Sequence, residues 1–209
     1  AKGEIVGALT IGAIPTASAY AAQAAHRLRK QHPGIRTRID TATSLLVQQG
    51  VDEGRFDAGL TYLEGVATDL LKVEPLYDEE YVLLAPKALV AADAVTITWA
   101  EAAALPLILL EREMQNRRIL DEIFADIGAH PSVIAETSGL IAAITMAREV
   151  MGATVVPRVM TDTLGDLDRT VLLPQKAPLI AKPVGLVTPK RPQSIPVVEA
   201  LRRIVAPIA

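Results

Sequence analysis

The sequence predicts an α/β protein made of two halves that are joined by two extended strands. Apolar runs alternate with segments of helical period along the whole chain, which favours α/β over all-α and all-β architectures. Half of the 209 residues are apolar, which is enough for one large domain or two small ones. Two extended runs, near 80–86 and 183–189, separate one series of strands and helices from the other.

The first sixty residues or so predict the order β-α-β-α-β. Strands are expected at about 6–13, 36–40 and 57–61, and helices at about 18–31 and 44–53. The sequence His32-Pro33-Gly34 ends the first helix, because proline lacks the N–H that a further turn needs. Strands that are joined through helices pair in parallel, so we expect a parallel sheet with crossover helices.

The second half repeats this alternation after the extended strand that ends at Pro86. The alanine-rich stretch 88–104 is turn-like, and the sequence from Thr98 to Glu101 resembles a helix start. Further strands are expected at 107–110, 132–136, 154–156, 171–173 and 182–188, with helices at 116–126, 138–151 and 195–206. We expect the last helix to return to the first half.

Composition excludes several classes of function. The net charge of −3 lacks the basic excess of a nucleic-acid-binding surface, and the absence of cysteine excludes disulfides and thiolate zinc sites. The histidines His26, His32 and His130 show no metal-ligand spacing. No apolar run reaches the roughly 20 residues that span a bilayer. We therefore expect no metal, no cofactor and no membrane segment. The missing initiator methionine indicates a processed or truncated product.

The end of the first strand carries a candidate binding segment, Pro15-Thr16-Ala17-Ser18. A buried strand runs here into a hydroxyl-bearing loop and then a helix, whose free N–H groups and partial positive charge attract anions. The hydroxyls of Thr16 and Ser18, with nearby N–H groups, would hold a polar or anionic ligand. The alternative is that Ser18 is an ordinary N-cap that satisfies the helix donors.

A second helix start repeats this arrangement at Thr137-Ser138. Either Thr137 or Ser138 is suited to cap the helix that is expected at 138–151. Two helix starts that face each other across a cleft would hold a small molecule, and their positive ends would favour a carboxylate.

Further candidates follow other strand ends, where open parallel sheets bind ligands. Thr61-Tyr62 ends the third strand, and Tyr62 is either a wall of the cleft or a half-buried aromatic residue of the sheet. Thr43 starts the second helix and either reaches the cleft or caps the helix, of which capping is the more frequent role. Arg112 would bind an anion through its planar fork, although charged loops are more often simply solvated.

Several segments follow one another in a characteristic order: GALTIG at 7–12, HPGI at 32–35, FDAGL at 56–60, EPLYDEEYVLLAP at 74–86, REVMGATVVP at 148–157 and KPVGLV at 182–187. In this order they resemble the effector-binding domain of LysR-type transcriptional regulators, over essentially the whole chain. The resemblance implies a periplasmic-binding-protein-like (type II) fold of two Rossmann-like subdomains, 1–85 with 188–209 and 86–187. It also implies a bacterial, cytoplasmic domain that senses a small-molecule effector, forms dimers and is not an enzyme.

The resemblance also implies sites and partners. It places effector contacts at the loop of Pro15, Thr16 and Ser18 and at Thr137-Ser138. It implies a homodimer, and a tetramer of the full-length protein, in which 20–28 of one copy packs antiparallel against 116–126 of the other. The family carries an N-terminal winged helix-turn-helix of about ninety residues. DNA would be contacted only through that domain, which this chain lacks.

Two other classes of function stay open at this point. A periplasmic solute-binding receptor of a transporter would have the same fold, and an export signal upstream of residue 1 would identify it. An enzyme would need a nucleophile, a base or a metal set that converges on the cleft. The sequence contains no G-x-S-x-G, phosphate-loop or H-E-x-x-H motif, which argues against catalysis.

Overall fold

The computed structural model describes residues 3–190 and 195–206. The chain divides into two compact units, residues 1–78 with 182–209 and residues 79–181. These limits lie a few residues before the expected subdomain limits of 85/86 and 187/188, which remain a prediction.

Strands and helices alternate along the described residues. The strands are β1 (Gly7–Ala13), β2 (Ile35–Thr41), β3 (Ala58–Tyr62), β4 (Leu71–Glu79), β5 (Tyr81–Pro86), β6 (Ile97–Thr98), β7 (Pro106–Leu110), β8 (Ser132–Thr137), β9 (Ala153–Pro157), β10 (Thr170–Lys176) and β11 (Lys182–Pro189). The α-helices are α1 (Ser18–Gln31), α2 (Ser44–Asp52), α3 (Trp99–Ala103), α4 (Gln115–Asp126), α5 (Leu140–Arg148) and α6 (Pro196–Val205). Short 3-10 helices occur at Pro15–Ala17, Lys87–Leu89 and Arg158–Leu164.

The first unit contains a sheet with the strand order β2-β1-β3-β11-β4. β1 pairs in parallel with β2 and with β3, whereas β11 runs antiparallel to β3. α1 and α2 connect the parallel strands, so the predicted β-α-β-α-β order is confirmed. Because β1, β2 and β3 point the same way, their carboxyl ends share one edge of the sheet.

α1 begins and ends where the sequence predicts, at Ser18 and Gln31. Its buried residues Ala21, Ala24 and Leu28 recur at helical spacing and form one face. The helix ends at Gln31, two residues before Pro33, as expected from the conformational restriction that a proline places on the residue before it.

The ring of Phe56 fixes α2 against β1. A Cβ atom at Gly12, on β1, or at Gly50, on α2, would lie 2.4 Å from Cδ2 of Phe56. Glycine at both positions therefore lets the backbones close around the ring. This packing holds the second half of α2 against β1. The Ala42 N–H, which donates to the Ala13 carbonyl at 3.0 Å, holds the segment before α2 next to the end of β1.

The second unit contains a sheet with the strand order β6-β10-β5-β9-β7-β8. β7 is parallel to β8 and β9, and β5 is antiparallel to β9 and β10. Trp99 lies in its core, with edge-to-face ring contacts at centroid distances of 5.8 Å to Tyr81 and 5.6 Å to Phe124. The predicted helix start at Thr98 is confirmed, because its hydroxyl accepts from the Glu101 N–H at 3.0 Å.

β4 is absent from the predicted strands. It lies at an edge of the first sheet, and exposed Lys72, Pro75 and Asp78 interrupt its apolar pattern. A strand of this kind lacks the alternation or the apolar run on which a prediction depends. Within the described residues, no helix is both long enough and apolar enough to cross a membrane.

Candidate functional site

The carboxyl ends of β1, β2 and β3 bring three polar segments of the first unit to one edge. In the parallel ladder, Ala13 pairs with Thr41 and with Leu60, so the three chains leave the sheet at the same level. The segments that follow carry the predicted contacts Pro15, Thr16, Ser18, Thr43, Thr61 and Tyr62. We refer to this group as the first edge.

Thr16 and Tyr62 are hydrogen-bonded to each other. Their hydroxyl oxygens lie 3.2 Å apart, and either one is able to donate. Both residues are only 1% exposed, so Tyr62 is fully buried rather than half-buried. The bond joins the 3-10 turn after β1 to the end of β3.

The predicted N-cap at Ser18 is wrong. A 3-10 turn, Pro15–Ala17, precedes α1, and the N-cap position falls on Ala17, which offers no side-chain cap. The hydroxyl of Ser18 donates instead to the Pro15 carbonyl at 2.7 Å. The first N–H groups of α1 therefore receive no side-chain cap.

Thr43 and Thr61 differ in how their hydroxyls are satisfied. Thr43 caps α2, as predicted, because its hydroxyl accepts from the Leu46 N–H at 3.2 Å. Thr61 is fully buried, and its hydroxyl has no hydrogen-bond partner among the described residues. An unmet buried hydroxyl costs about 1–3 kcal/mol, which favours a water or ligand partner there.

The carboxyl ends of β7 and β8 form the corresponding edge of the second unit, the second edge. The Glu111 N–H donates to the Thr137 carbonyl at 2.9 Å, so the two strand ends are joined directly. Arg112 follows β7 and is exposed, and Ser138 follows β8 and is exposed. The second edge therefore carries the remaining predicted contacts, Arg112, Thr137 and Ser138.

Neither Thr137 nor Ser138 caps α5, which contradicts the prediction. The helix begins at Leu140, and its N-cap is Gly139, which has no side chain to accept a hydrogen bond. The Thr137 hydroxyl donates to the Gly139 carbonyl at 2.8 Å, because a threonine side chain readily bonds its own nearby backbone. α5 thus resembles α1, since both begin without a side-chain cap.

Arg117 is a buried cation that sequence reasoning missed. Its Nη1 donates to the Leu110 carbonyl at 2.9 Å and to Glu136 Oε2 at 2.7 Å, and its Nε donates to Asp121 Oδ1 at 2.9 Å. Burial lowers the pKa of Arg117, but the hydrogen bonds that it donates to Asp121 and Glu136 raise it, and the net pKa lies above its ordinary value. Arg117 therefore stays charged while it holds the ends of β7 and β8 to α4.

Arg118, the next residue, holds the loop after β7. Its Nη1 donates to the Arg112 carbonyl at 2.9 Å and to the Glu113 carbonyl at 3.0 Å. The first turn of α4 contains these two arginines and no acidic residue, against the preference of helix starts for negative charge. This reversal of the usual charge pattern is visible in the sequence, and it is the signal that could have indicated contacts outside the helix.

The described residues contain no cluster of three or more His, Asp or Glu side chains that could hold a metal ion. The chemistry of both edges is that of hydrogen-bond donors and acceptors around helix starts. Such an arrangement is suited to non-covalent binding of a small polar molecule.

Comparison with known proteins gives one consistent family. The model of the LysR substrate binding domain matches residues 2–207. A "Probable nitrogen assimilation transcriptional activator" from Synechococcus elongatus is 25% identical over 187 residues, which are 86% of this chain and 59% of that protein. The chain therefore spans less than two thirds of the length of this relative.

Solved structures show the same fold. The regulatory domain of CcmR from Synechocystis, in complex with 2-PG, has a TM-score of 0.82 at 17% identity and covers 96% of each chain. The effector binding domain of QuiR, in complex with shikimate, has a TM-score of 0.79 at 18% identity and also covers 96% of each chain. These similarities confirm the expected two-subdomain, periplasmic-binding-protein-like architecture.

Proposed function

We propose that a small-molecule effector binds between the two edges. The chain belongs to the LysR substrate binding domain family and is the effector-binding domain of a transcriptional regulator, and the proposal starts from that premise. The observation that carries this proposal is that α1 and α5, at the first and second edge, both begin without a side-chain cap. Each helix start presents a partial positive charge to a ligand. At α1 the N–H groups of Ala17 and Ser18 donate to the carbonyls of Ile14 and Pro15, so the dipole is the main attraction there.

The effector that best fits these groups is a small organic molecule with a carboxylate. A negative group at a helix start gains about 0.3–1 kcal/mol from the dipole, and Arg112 supplies an exposed guanidinium at the second edge. The hydroxyls of Ser18, Thr137 and Ser138 add short-range selectivity. Shikimate and 2-PG, the ligands named for two structural neighbours, are suitable first compounds.

Binding would act by changing a population of states. An effector shifts the arrangement of the units or of a dimer only as far as it binds one arrangement more tightly than the other. Following the family resemblance, we assign dimerisation to residues 20–28 and the helix α4, and DNA contact to a separate domain of a longer protein. The family match does not favour a transporter receptor, and regulator domains of this kind are generally not enzymes.

The test is a thermal-shift screen of organic acids, followed by isothermal titration of each compound that stabilises the protein. A ligand at 100 times its dissociation constant raises the free energy of unfolding by about 2.7 kcal/mol. We expect a saturable ligand, recovered unchanged, whose affinity falls about tenfold in Thr16→Val and in Thr137→Val. Thr68→Val, in an exposed loop of the first unit, is the control and leaves the affinity unchanged.

Saturable binding that is equal in all these variants would place the effector elsewhere and contradict the proposed site. Turnover of the bound compound would contradict a sensing role. Equal affinity for an acid that binds and for its uncharged amide would contradict a role for the carboxylate.

A further inference from the structure

Two exposed leucines lie at the start of α2, at the first edge. Leu45 and Leu46 are the second and third residues of the helix, and they are 62% and 44% exposed. Val47, the next residue, is fully buried, so the apolar face of the helix does not account for them. Single exposed apolar residues are ordinary on a protein surface, but two adjacent ones at a proposed binding edge are available to a ligand.

The second edge has an exposed apolar residue at the equivalent position of its own helix. Ile141 is the second residue of α5, as Leu45 is the second residue of α2, and it is 79% exposed. Leu140 beside it is buried and belongs to the core of the second unit. Side chains of a helix tilt towards its N-terminus, so the side chains of Leu45 and Ile141 extend towards the strand ends of their edges.

The buried hydroxyl of Thr61 lies near the same helix start as the two leucines. A Cβ atom at Gly59 would lie 2.6 Å from Cγ1 of Val47, so α2 covers this face of β3. Thr61 is two residues further along β3 and therefore on the same face. It is also nearer the carboxyl end of the strand, where α2 begins. Since this hydroxyl has no partner among the described residues, a ligand at the start of α2 would meet an available donor.

We propose that Leu45, Leu46 and Ile141 are specificity-determining residues that select an acid with a hydrocarbon body over a hydroxylated one. The hydroxyl of Thr61 donates to the carboxylate of this effector, and the apolar side chains cover its hydrocarbon body. This inference rests on the proposed function, because it places the acid between the same two edges. It adds the chemical class of the part of the effector that is not the carboxylate.

The preference follows from the cost of removing polar groups from water. Burying one CH₂ group against apolar side chains contributes about 0.8 kcal/mol, which is about fourfold in affinity. A hydroxyl group in the same place loses its hydrogen bonds to water, and leucine and isoleucine side chains offer none in return. Two acids of the same shape should therefore differ in affinity according to their hydroxyl groups.

Two acids with one carbon skeleton provide the test. Cyclohexene-1-carboxylate is shikimate without its hydroxyl groups, so isothermal titration of both acids measures the effect of those groups alone. We expect the unaltered chain to bind cyclohexene-1-carboxylate at least about tenfold more tightly than shikimate. Leu45→Gln and Ile141→Gln should each reduce this ratio about threefold or more. Glutamine is a good helix former, so both exposed substitutions should leave the helices intact.

Matched controls separate the apolar contact from other effects. Leu179→Gln and Val95→Gln replace residues that are 85% and 78% exposed and lie outside both edges, so the ratio should stay unchanged. Thr61→Val should weaken both acids by the same factor, about tenfold, because it removes a contact with the carboxylate that they share. Thermal unfolding of the unliganded variants verifies that each one folds.

Three results would overturn the inference and leave the proposed function standing. The first is a shikimate affinity equal to or above that of cyclohexene-1-carboxylate. The second is a ratio that Leu45→Gln and Ile141→Gln leave unchanged, as the controls do. The third is a screen in which the acids that bind are confined to hydroxylated ones. If no organic acid binds at all, the proposed function itself fails, and the inference fails with it.

Discussion

The two edges join the ends of their strands through different kinds of hydrogen bond. At the first edge, neutral hydroxyls join the strand ends, as in the bond between Thr16 and Tyr62. At the second edge, the charged fork of Arg117 joins them, with Glu136 and Asp121 as partners. Each edge lies at the carboxyl ends of parallel strands and includes one helix start without a side-chain cap, that of α1 at the first edge and that of α5 at the second.

The difference separates two tasks. Neutral hydroxyl pairs act only at contact distance, so the first edge is suited to recognising the shape and the polar groups of a ligand. A guanidinium with several donors holds several segments at once, so the second edge is suited to transmitting a change in position. The comparison predicts that removing the guanidinium that joins the second edge costs more stability than removing a hydroxyl that joins the first.

The largest effect is expected for Arg117→Met. This change removes three hydrogen bonds from a buried site and leaves the Leu110 carbonyl unsatisfied, so the free energy of unfolding should fall by about 2 kcal/mol. Urea denaturation measures it. Arg158→Met, at a pair whose side chains are each 53% exposed, should change stability by less than about 0.5 kcal/mol. Equal effects of the two variants would mean that the burial of Arg117 adds nothing to its contribution to stability.

A smaller effect is expected for the hydroxyl pair of the first edge. Thr16→Val and Tyr62→Phe should each lower the free energy of unfolding by about 1 kcal/mol, because each removes the hydrogen bond between the two buried hydroxyls. The double variant should lose less than the sum of the two, by about 1 kcal/mol. Strict additivity in a double-mutant cycle would mean that the two hydroxyls do not interact.

Thr43→Ala should lower stability by about 1 kcal/mol, because it removes the cap of α2. Ser138→Ala tests the opposite expectation at the second edge, where the exposed hydroxyl caps nothing, and should stay within about 0.5 kcal/mol. Thermal unfolding of both variants measures the two losses of stability. A large loss in Ser138→Ala would restore this residue as a cap.

The smallest expected effect is an increase in the free energy of unfolding. Gly139 has an extended backbone, with φ of −142° and ψ of 157°, and a Cβ atom there would meet no atom within 4 Å. Gly139→Ser should therefore add a cap to α5 and restrict the unfolded chain, raising stability by about 0.5 kcal/mol. If denaturation shows a loss instead, the N-terminus of α5 differs from the arrangement described.

Local signals were sufficient where one segment decides its own structure. The limits of α1 follow from Pro15 before the helix and Pro33 after it, and the cap at Thr43 follows from its place before an apolar helical pattern. The parallel order of β1, β2 and β3 follows from the alternation of strands and helices. The fold class could therefore be predicted from the sequence.

The sequence was insufficient to predict the hydrogen-bond partners of side chains that have several possible partners. Ser18 and Thr137 bond backbone carbonyls rather than helix N–H groups, and for Ser18 this depends on the 3-10 turn that precedes α1. The pairing of Arg117 with Glu136 spans 19 residues and two elements, so no local pattern predicts it. The roles of the nine candidate contacts in binding remain predictions.

The most direct measurement is an amide chemical-shift titration of the isotope-labelled chain with the acid that binds most tightly in the screen. If one ligand occupies both helix starts, the amides of Thr16, Ala17 and Ser18 and those of Ser138, Gly139 and Leu140 should shift with the same dissociation constant. Shifts at one edge only, or at the two edges with different constants, would contradict a single effector held between them.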